Sequence, residues 1–191
     1  LRRQRQMCIR DRLWAAWPQR RGWVALHPGG GAYSLARRWP AASFARLAEA
    51  LAARGLGVAL VGRRGDGTAA VAAACRAPLL DLTDACDLPT LAALLPRFMR
   101  LVSNDSGVLH LAVAMGLPVT GIYGPTCERS WGPWDPSPDG AGGHRAVTIP
   151  DLPCRPCLYR GHALGDPRGC PTRDCLAWLT PERVLAAMPG L

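Results

Sequence analysis

The densest chemistry in the sequence lies in one block, Ser103-Asn104-Asp105-Ser106-Gly107-Val108-Leu109-His110. An apolar run ends at Ser103 and a helical pattern opens at Val108, so the block sits where a strand hands over to a helix. Backbone N–H groups of Ser106 and Gly107 at that helix start, together with the helix dipole, favour a phosphate. His110 lies one turn further on. Helical side chains tilt toward the N-terminus, so its imidazole reaches back toward the same anion. The plainer alternative is an ordinary N-cap at Asp105 or Ser106 with a structural histidine behind it.

A second block, His27-Pro28-Gly29-Gly30-Gly31, is followed by Arg37-Arg38-Trp39-Pro40. Glycines let backbone approach a ligand closely and offer a nest of N–H groups. An arginine pair a few residues later suits a bidentate grip on a diphosphate. The block is neither a GxGxxG fingerprint nor a Walker loop, since no Gly-Lys-Ser/Thr occurs in the chain. Its plain alternative is a glycine-rich turn with a solvated arginine pair.

Eight cysteines are present, and four of them follow the spacing Cys154-x2-Cys157-x12-Cys170-x4-Cys175. Two close pairs separated by a loop are the usual layout of a tetrathiolate centre, with each sulfur ~2.3 Å from one structural ion. Zinc and iron both suit four thiolates, and two disulfides or four reduced thiols are the other readings. The segment Trp131-Gly132-Pro133-Trp134 has the composition to pack on a sugar or nucleobase. The preferred reading is a loop anchored on the sheet edge by its two tryptophans.

The elements that must position these blocks alternate along the chain. Strands are predicted at Trp23–His27, Val58–Val61, Leu79–Leu82, Phe98–Ser103 and Val119–Tyr123. Helices are predicted from a Ser43 cap to about Arg54, near Ala69–Cys75, at Leu88–Leu95 behind an Asp87 cap, and at Val108–Met115. Several strands are apolar on both faces, which calls for a parallel sheet covered by helices on both sides, the doubly wound α/β class. In such sheets ligands sit beyond the carboxyl ends of the strands, where both blocks fall. After Gly124 the pattern breaks into Pro, Gly, Trp and Cys, with one candidate strand at Arg145–Ile149. A closing helix follows Thr180-Pro181-Glu182, with Thr180 as N-cap and Pro181 at its first position. Residues 1–20 read as a basic tail or linker, 21–124 as the α/β core, and 125–191 as an irregular segment with a final helix.

Composition narrows the classes. The chain has 191 residues, is 49% hydrophobic and 19% charged, and can bury a core. No run approaches the ~20 apolar residues of a membrane span, and Leu1 to Arg12 lacks a signal-peptide core. All 23 basic residues are arginine, and the net charge is +9. Five arginines against Asp11 put four units of that charge in residues 1–12. The remaining five are spread, which permits anionic partners and selects none. With no secretion signal, metal ligation or free thiols outrank a disulfide framework.

Together these motifs resemble the family 9 glycosyltransferases, the lipopolysaccharide heptosyltransferases and their relatives. The resemblance is carried by His-Pro-Gly and Arg-Arg-Trp-Pro, then Asp-Leu-Thr, Asn-Asp-Ser-Gly-Val-Leu-His-Leu-Ala, Gly-Leu-Pro-Val and Tyr-Gly-Pro-Thr. It runs from about Trp23 to Pro133 and resumes near Cys154–Leu185. It implies the C-terminal, Rossmann-like half of a two-domain GT-B enzyme, the half that binds the nucleotide sugar. By that resemblance Asp105 sits beside the sugar or phosphates, and Ser106, Gly107 and His110 hold the diphosphate. Arg37 stands where the family commonly has a phosphate-binding Lys, and Asp66 near the acidic residue, often Glu, that binds the ribose. Glycines replace the small hydroxyl residues usual after His-Pro-Gly.

The resemblance further implies ADP-heptose as donor, a lipid A–core acceptor, metal-free inverting transfer, and a place at the cytoplasmic face of the inner membrane. It puts the catalytic base and the acceptor site in an N-terminal domain that this sequence does not contain, so the chain alone is expected to transfer nothing. Some relatives carry a cysteine-coordinated iron. A zinc-ribbon-like nucleic-acid module is the alternative, weakened because the arginines do not cluster with aromatics. A dinucleotide oxidoreductase is disfavoured by the missing GxGxxG.

Overall fold

The computed structural model describes residues 20–135, 142–160, 164–188 and 190–191. The basic tail at 1–12 and Cys8 lie outside them. Six parallel strands form one sheet: β1 (Trp23–His27), β2 (Gly57–Gly62), β3 (Leu80–Thr83), β4 (Arg100–Asn104), β5 (Val119–Ile122) and β6 (Arg145–Val147). Their spatial order is β3-β2-β1-β4-β5-β6. The chain winds outward from β1 to β3, returns to pair β4 beside β1, and winds outward again. The switch point of this doubly wound sheet therefore lies between β1 and β4, where His27 pairs in register with Ser103.

Burial on both faces explains the apolar runs. Every residue of β1, β4 and β5 is buried. Alternation then divides the side chains between two layers. Val24 and Leu26 face the layer built by α1 (Ala41–Ala52), α2 (Thr68–Ala74) and the closing helices α6 (Asp174–Ala177) and α7 (Pro181–Ala186). Trp23 and Ala25 face the layer built by α3 (Leu88–Leu94) and α4 (Gly107–Ala114). Phe44, Leu47 and Leu51 supply the buried stripe of α1, as their spacing requires.

Two predicted caps are in place. The Asp87 carboxylate accepts from the Thr90 N–H at 2.9 Å, and the Thr180 hydroxyl accepts from the Arg183 N–H. A third is not. Helix α1 starts at Ala41, so Ser43 lies inside it, and the Pro40 carbonyl accepts from the Ser43 and Phe44 N–H groups. Proline at the N-cap lacks an N–H that the helix would waste, and this shifts the start three residues earlier.

Beyond Gly124 the chain keeps more regular structure than its composition suggests. Strand β6 extends the sheet beside β5, and a short helix α5 (Glu128–Trp131) follows the β5 turn. Among the described residues, one side chain makes more ties to the rest of the segment than any other. The largely buried Arg155 guanidinium donates to the carbonyls of Gly124, Thr126 and Ile149 and pairs with Glu128 at 3.0 Å. The expected anchoring by tryptophans is overturned: Trp131 is 43% exposed and Trp134 71%. The loop is fastened by backbone instead, because the buried Tyr123 hydroxyl donates to the Trp131 carbonyl at 2.8 Å.

Candidate functional site

The two blocks meet at the switch point. Their hub is Asn104, the last residue of β4. Its side-chain carbonyl accepts from the Trp39 N–H at 3.0 Å, and its amide donates to the carbonyls of Pro28 and Gly29 at 2.7 and 3.2 Å. One buried amide thus ties the glycine loop after β1, the Arg37–Arg38 segment and β4 together. Trp39 extends the tie to the C-terminal helices, since its indole N–H donates to the Leu179 carbonyl.

Two charged sets result. Arg37 Nη1 donates to Asp105 Oδ2 at 3.4 Å, with both side chains largely buried. Asp66, in the loop after β2, faces His27 Nε2 at 3.7 Å and Arg38 Nη2 at 3.9 Å. The facing His27 imidazole, assisted by the Arg63 N–H and the nearby Arg38 charge, lowers the Asp66 carboxyl from 3.8 to about 2. The other ring nitrogen of His27 lies 3.3 Å from Ser103 Oγ and 3.5 Å from Ser106 Oγ. Ser106 caps α4, and its hydroxyl accepts from the Leu109 N–H. Gly29 is wedged in this arrangement: a Cβ there would lie 2.6 Å from both Asp66 Oδ1 and His27 Cε1. Gly31 has φ +72, a conformation open to glycine.

The chemistry of the cluster is that of an anion seat. Arg37 Nε and Arg38 Nε are buried with no partner among the described residues. An unsatisfied buried donor costs about 1–3 kcal/mol, and an anion at the open glycine loop removes that cost. Gly107 at the start of α4 is exposed, and a Cβ added there would meet nothing within 4 Å.

The sequence-predicted residues are thus partly gathered. Arg37, Asp105, Ser106 and Gly107 share the β1–β4 end, and Asp66 joins through His27. His110 is exposed and borders a separate cavity of about 440 Å³ with Val113, Trp134 and His144. Sequence reasoning missed three members: His27, Asn104 and Trp39. The available signal was positional, since His27 and Asn104 end the two strands that flank the switch point.

The cysteine expectation needs correcting in its geometry. Cys154, Cys157, Cys170 and Cys175 are free thiols. They lie within electrostatic reach of one another, and their mutual proximity adds to burial in raising Cys157 and, to about 11, Cys175. Yet among the described residues no three metal-capable side chains gather at one point. Cys175 is buried against the core, while Cys170 stays at the surface, where its sulfur accepts from the Arg173 N–H. Arg155 supplies one constraint on the irregular segment.

Strand order 3-2-1-4-5-6, with arginines, aspartates and a glycine loop gathered at its switch point, defines a Rossmann-like doubly wound α/β domain. Comparison with known proteins gives the family. Residues 5–160 match the model of glycosyltransferase family 9 (heptosyltransferase), and the chain belongs to that family. It is 33% identical over 106 residues to lipooligosaccharide heptosyltransferase 2 of Haemophilus influenzae, covering 52% of this chain and 31% of that protein. The fold matches the structure of E. coli ADP-heptose lps heptosyltransferase II with a TM-score of 0.71 at 23% identity, over 95% of this chain and 49% of that one. It also matches the dodecameric iron-containing heptosyltransferase TibC in complex with ADP-D-beta-D-heptose, with a TM-score of 0.65 at 19% identity, over 90% and 45% of the two chains. The chain spans about a third of the length of the relative and about half of each solved chain.

Proposed function

We propose that this chain is the donor-binding half of a heptosyltransferase that takes ADP-heptose and adds the sugar to lipopolysaccharide core. The observation that carries the reading is the pair of buried, unpartnered guanidinium N–H groups on Arg37 and Arg38, set beside the glycine loop at the switch point. In the proposed complex Arg37 and the start of α4, at Ser106 and Gly107, take the diphosphate, and His110 closes on it from the first turn. Asp66, kept ionised by His27, accepts from the ribose hydroxyls. Asp105 stands beside the sugar-bearing phosphate. Cationic groups and helix-end amides then offset the charge of the leaving nucleoside diphosphate, with no cofactor in the transfer step.

The base that takes the acceptor proton belongs, by family resemblance, to the other half of the enzyme. The donor half by itself is expected to bind nucleotide and transfer nothing, because base and water-excluding closure come from the other half. The acceptor is lipid A–core, reached at the cytoplasmic face of the inner membrane. The described residues contain no helix long and apolar enough to cross a bilayer. A structural zinc or iron held by Cys154, Cys157, Cys170 and Cys175 remains part of the proposal, on the strength of their proximity. Metal analysis of anaerobically purified protein tests it.

The donor reading is tested by calorimetric titration with ADP. Arg37→Ala and His110→Ala are each expected to weaken binding by roughly 1.5–3 kcal/mol, the scale of a hydrogen bond to a charged group. Unchanged affinity in both variants would remove these residues from the site.

A further inference from the structure

Three aromatic rings from three separate segments contact one another, and Tyr33, two residues past Gly31, brings the group to the glycine loop of the seat just described. Tyr33 comes from the loop after β1, Trp131 from α5 after β5, and Tyr159 from the cysteine-rich segment. The Tyr33 and Tyr159 rings lie 5.9 Å apart and nearly parallel, and the Tyr159 and Trp131 centroids are 5.2 Å apart. None of the three joins either layer of the apolar core. Tyr33 is 46% exposed and Trp131 43%. Tyr159 holds its place with φ +55, a costly conformation for a residue with a Cβ. Aromatic area left in water and backbone held in the left-handed region both count against a purely structural role.

We propose that this aromatic shelf receives the sugar ring of the nucleotide-sugar donor, stacking the ring's C–H face on Trp131 and Tyr33. The inference rests on the donor-site reading and deepens it. Strand order supplies the direction. Asp66 follows β2, the Arg37–Asp105 pair lies over β1 and β4, and Trp131 follows β5. Neighbouring strands lie about 4.8 Å apart, so β2 to β5 spans roughly 14 Å. A nucleoside–diphosphate–sugar laid along the strand ends, with ribose at Asp66 and phosphates at Arg37, carries its sugar toward β5. The Tyr123 hydroxyl, bonded to the Trp131 carbonyl, links this end of the shelf to the β5 terminus. Aromatic faces are electron-rich and suit the polarised C–H groups of a pyranose.

The test is paired calorimetry of the full chain with ADP and with ADP-heptose, on Trp131→Leu, Tyr33→Leu and Trp131→Phe. The leucine variants keep apolar bulk and lose the ring face; Phe keeps a face. Trp131 contributes only its backbone carbonyl to the Tyr123 bond, so that bond survives each change, and thermal melts report folding. The expected result is a three- to tenfold loss of ADP-heptose affinity in each leucine variant, unchanged ADP affinity, and most of the ADP-heptose affinity retained in Trp131→Phe. Equal losses for ADP and ADP-heptose would assign the shelf to the base, and unchanged ADP-heptose affinity would assign it to packing; either overturns the proposal. If the unsubstituted chain binds neither ligand, the donor-site reading fails and takes the shelf with it. If it binds ADP and the leucine variants change nothing, the shelf fails alone.

Discussion

Residues 20–124 and residues 125–188 are held together by different physics. The first region is a five-strand parallel ladder with apolar side chains locked on both faces, and its strength is spread over dozens of contacts. The second has a three-residue strand and three short helices, sends Val147, Leu176, Leu179, Val184 and Met188 into the shared apolar core, and ties its irregular stretch by side-chain hydrogen bonds, chiefly those of the Arg155 guanidinium to three carbonyls and a carboxylate. The seat for an anion lies on the first region, while the aromatic shelf that extends it borrows two of its three rings from the second. A rigid sheet end suits groups that must hold a fixed charge geometry. A segment tied by scattered hydrogen bonds suits a surface that adapts to its ligand.

The largest effect separating the two is expected in the core. Phe44→Ala removes a fully buried ring of α1 that packs edge-on against Trp39 at 5.0 Å. It should cost about 3–5 kcal/mol and lower denaturant resistance of the whole chain in one transition. A second, unshifted transition would show that the regions unfold separately.

Next comes Arg155→Met, which keeps apolar bulk and deletes every hydrogen bond of the guanidinium. A loss on the order of 2–4 kcal/mol is expected, from the broken Glu128 pair and the orphaned carbonyls. Hydrogen exchange should show it locally, with amides of Cys157 and Leu158, which donate to the Pro125 carbonyl, losing protection while β1 and β4 keep theirs. Loss spread evenly over both regions would mean that Arg155 supports the core as well.

The smallest effect probes the seat itself. Asp66 has its carboxyl lowered from 3.8 to about 2, chiefly by His27. A depressed folded-state value means that ionised Asp66 stabilises the fold above about pH 4, and that this contribution disappears as pH falls toward about 2. The side chain is partly solvated, so the contribution is on the order of 1–2 kcal/mol after screening. The stability difference between the natural chain and Asp66→Asn should follow that window in acid denaturation. A difference independent of pH would show that the His27 contact does not persist in solution.

Much of the fold was legible because it depends on short-range rules. Apolar runs bounded by glycines gave the first five strands within a residue or two, and Asp87 and Thr180 announced their helices through the N–H groups they accept. Ser43 misled because a proline three residues earlier provides the better start. Trp131 and Trp134 misled because hydrophobic residues are usually inside, and nothing local says that these two stay largely in solvent. The anion seat was half legible: its arginines, aspartates and glycines stand out by type, whereas His27 and Asn104 matter only because β1 and β4 are neighbours.

The sequence by itself determined that strands and helices alternate, that the sheet is parallel and buried on both faces, and that two blocks rich in Gly, Arg, Asp and Ser fall at strand ends. These follow from periodicity and residue type, which act over a few positions. Only the tertiary structure decided that β4 returns beside β1, bringing Asp105 to Arg37 across 68 positions of sequence. It alone decided that Arg155 holds the cysteine-rich segment and that the four thiols stop short of a closed cluster. Those outcomes depend on which distant groups compete for the same carbonyls, charges and apolar surface, and that competition is settled only when the whole chain is folded.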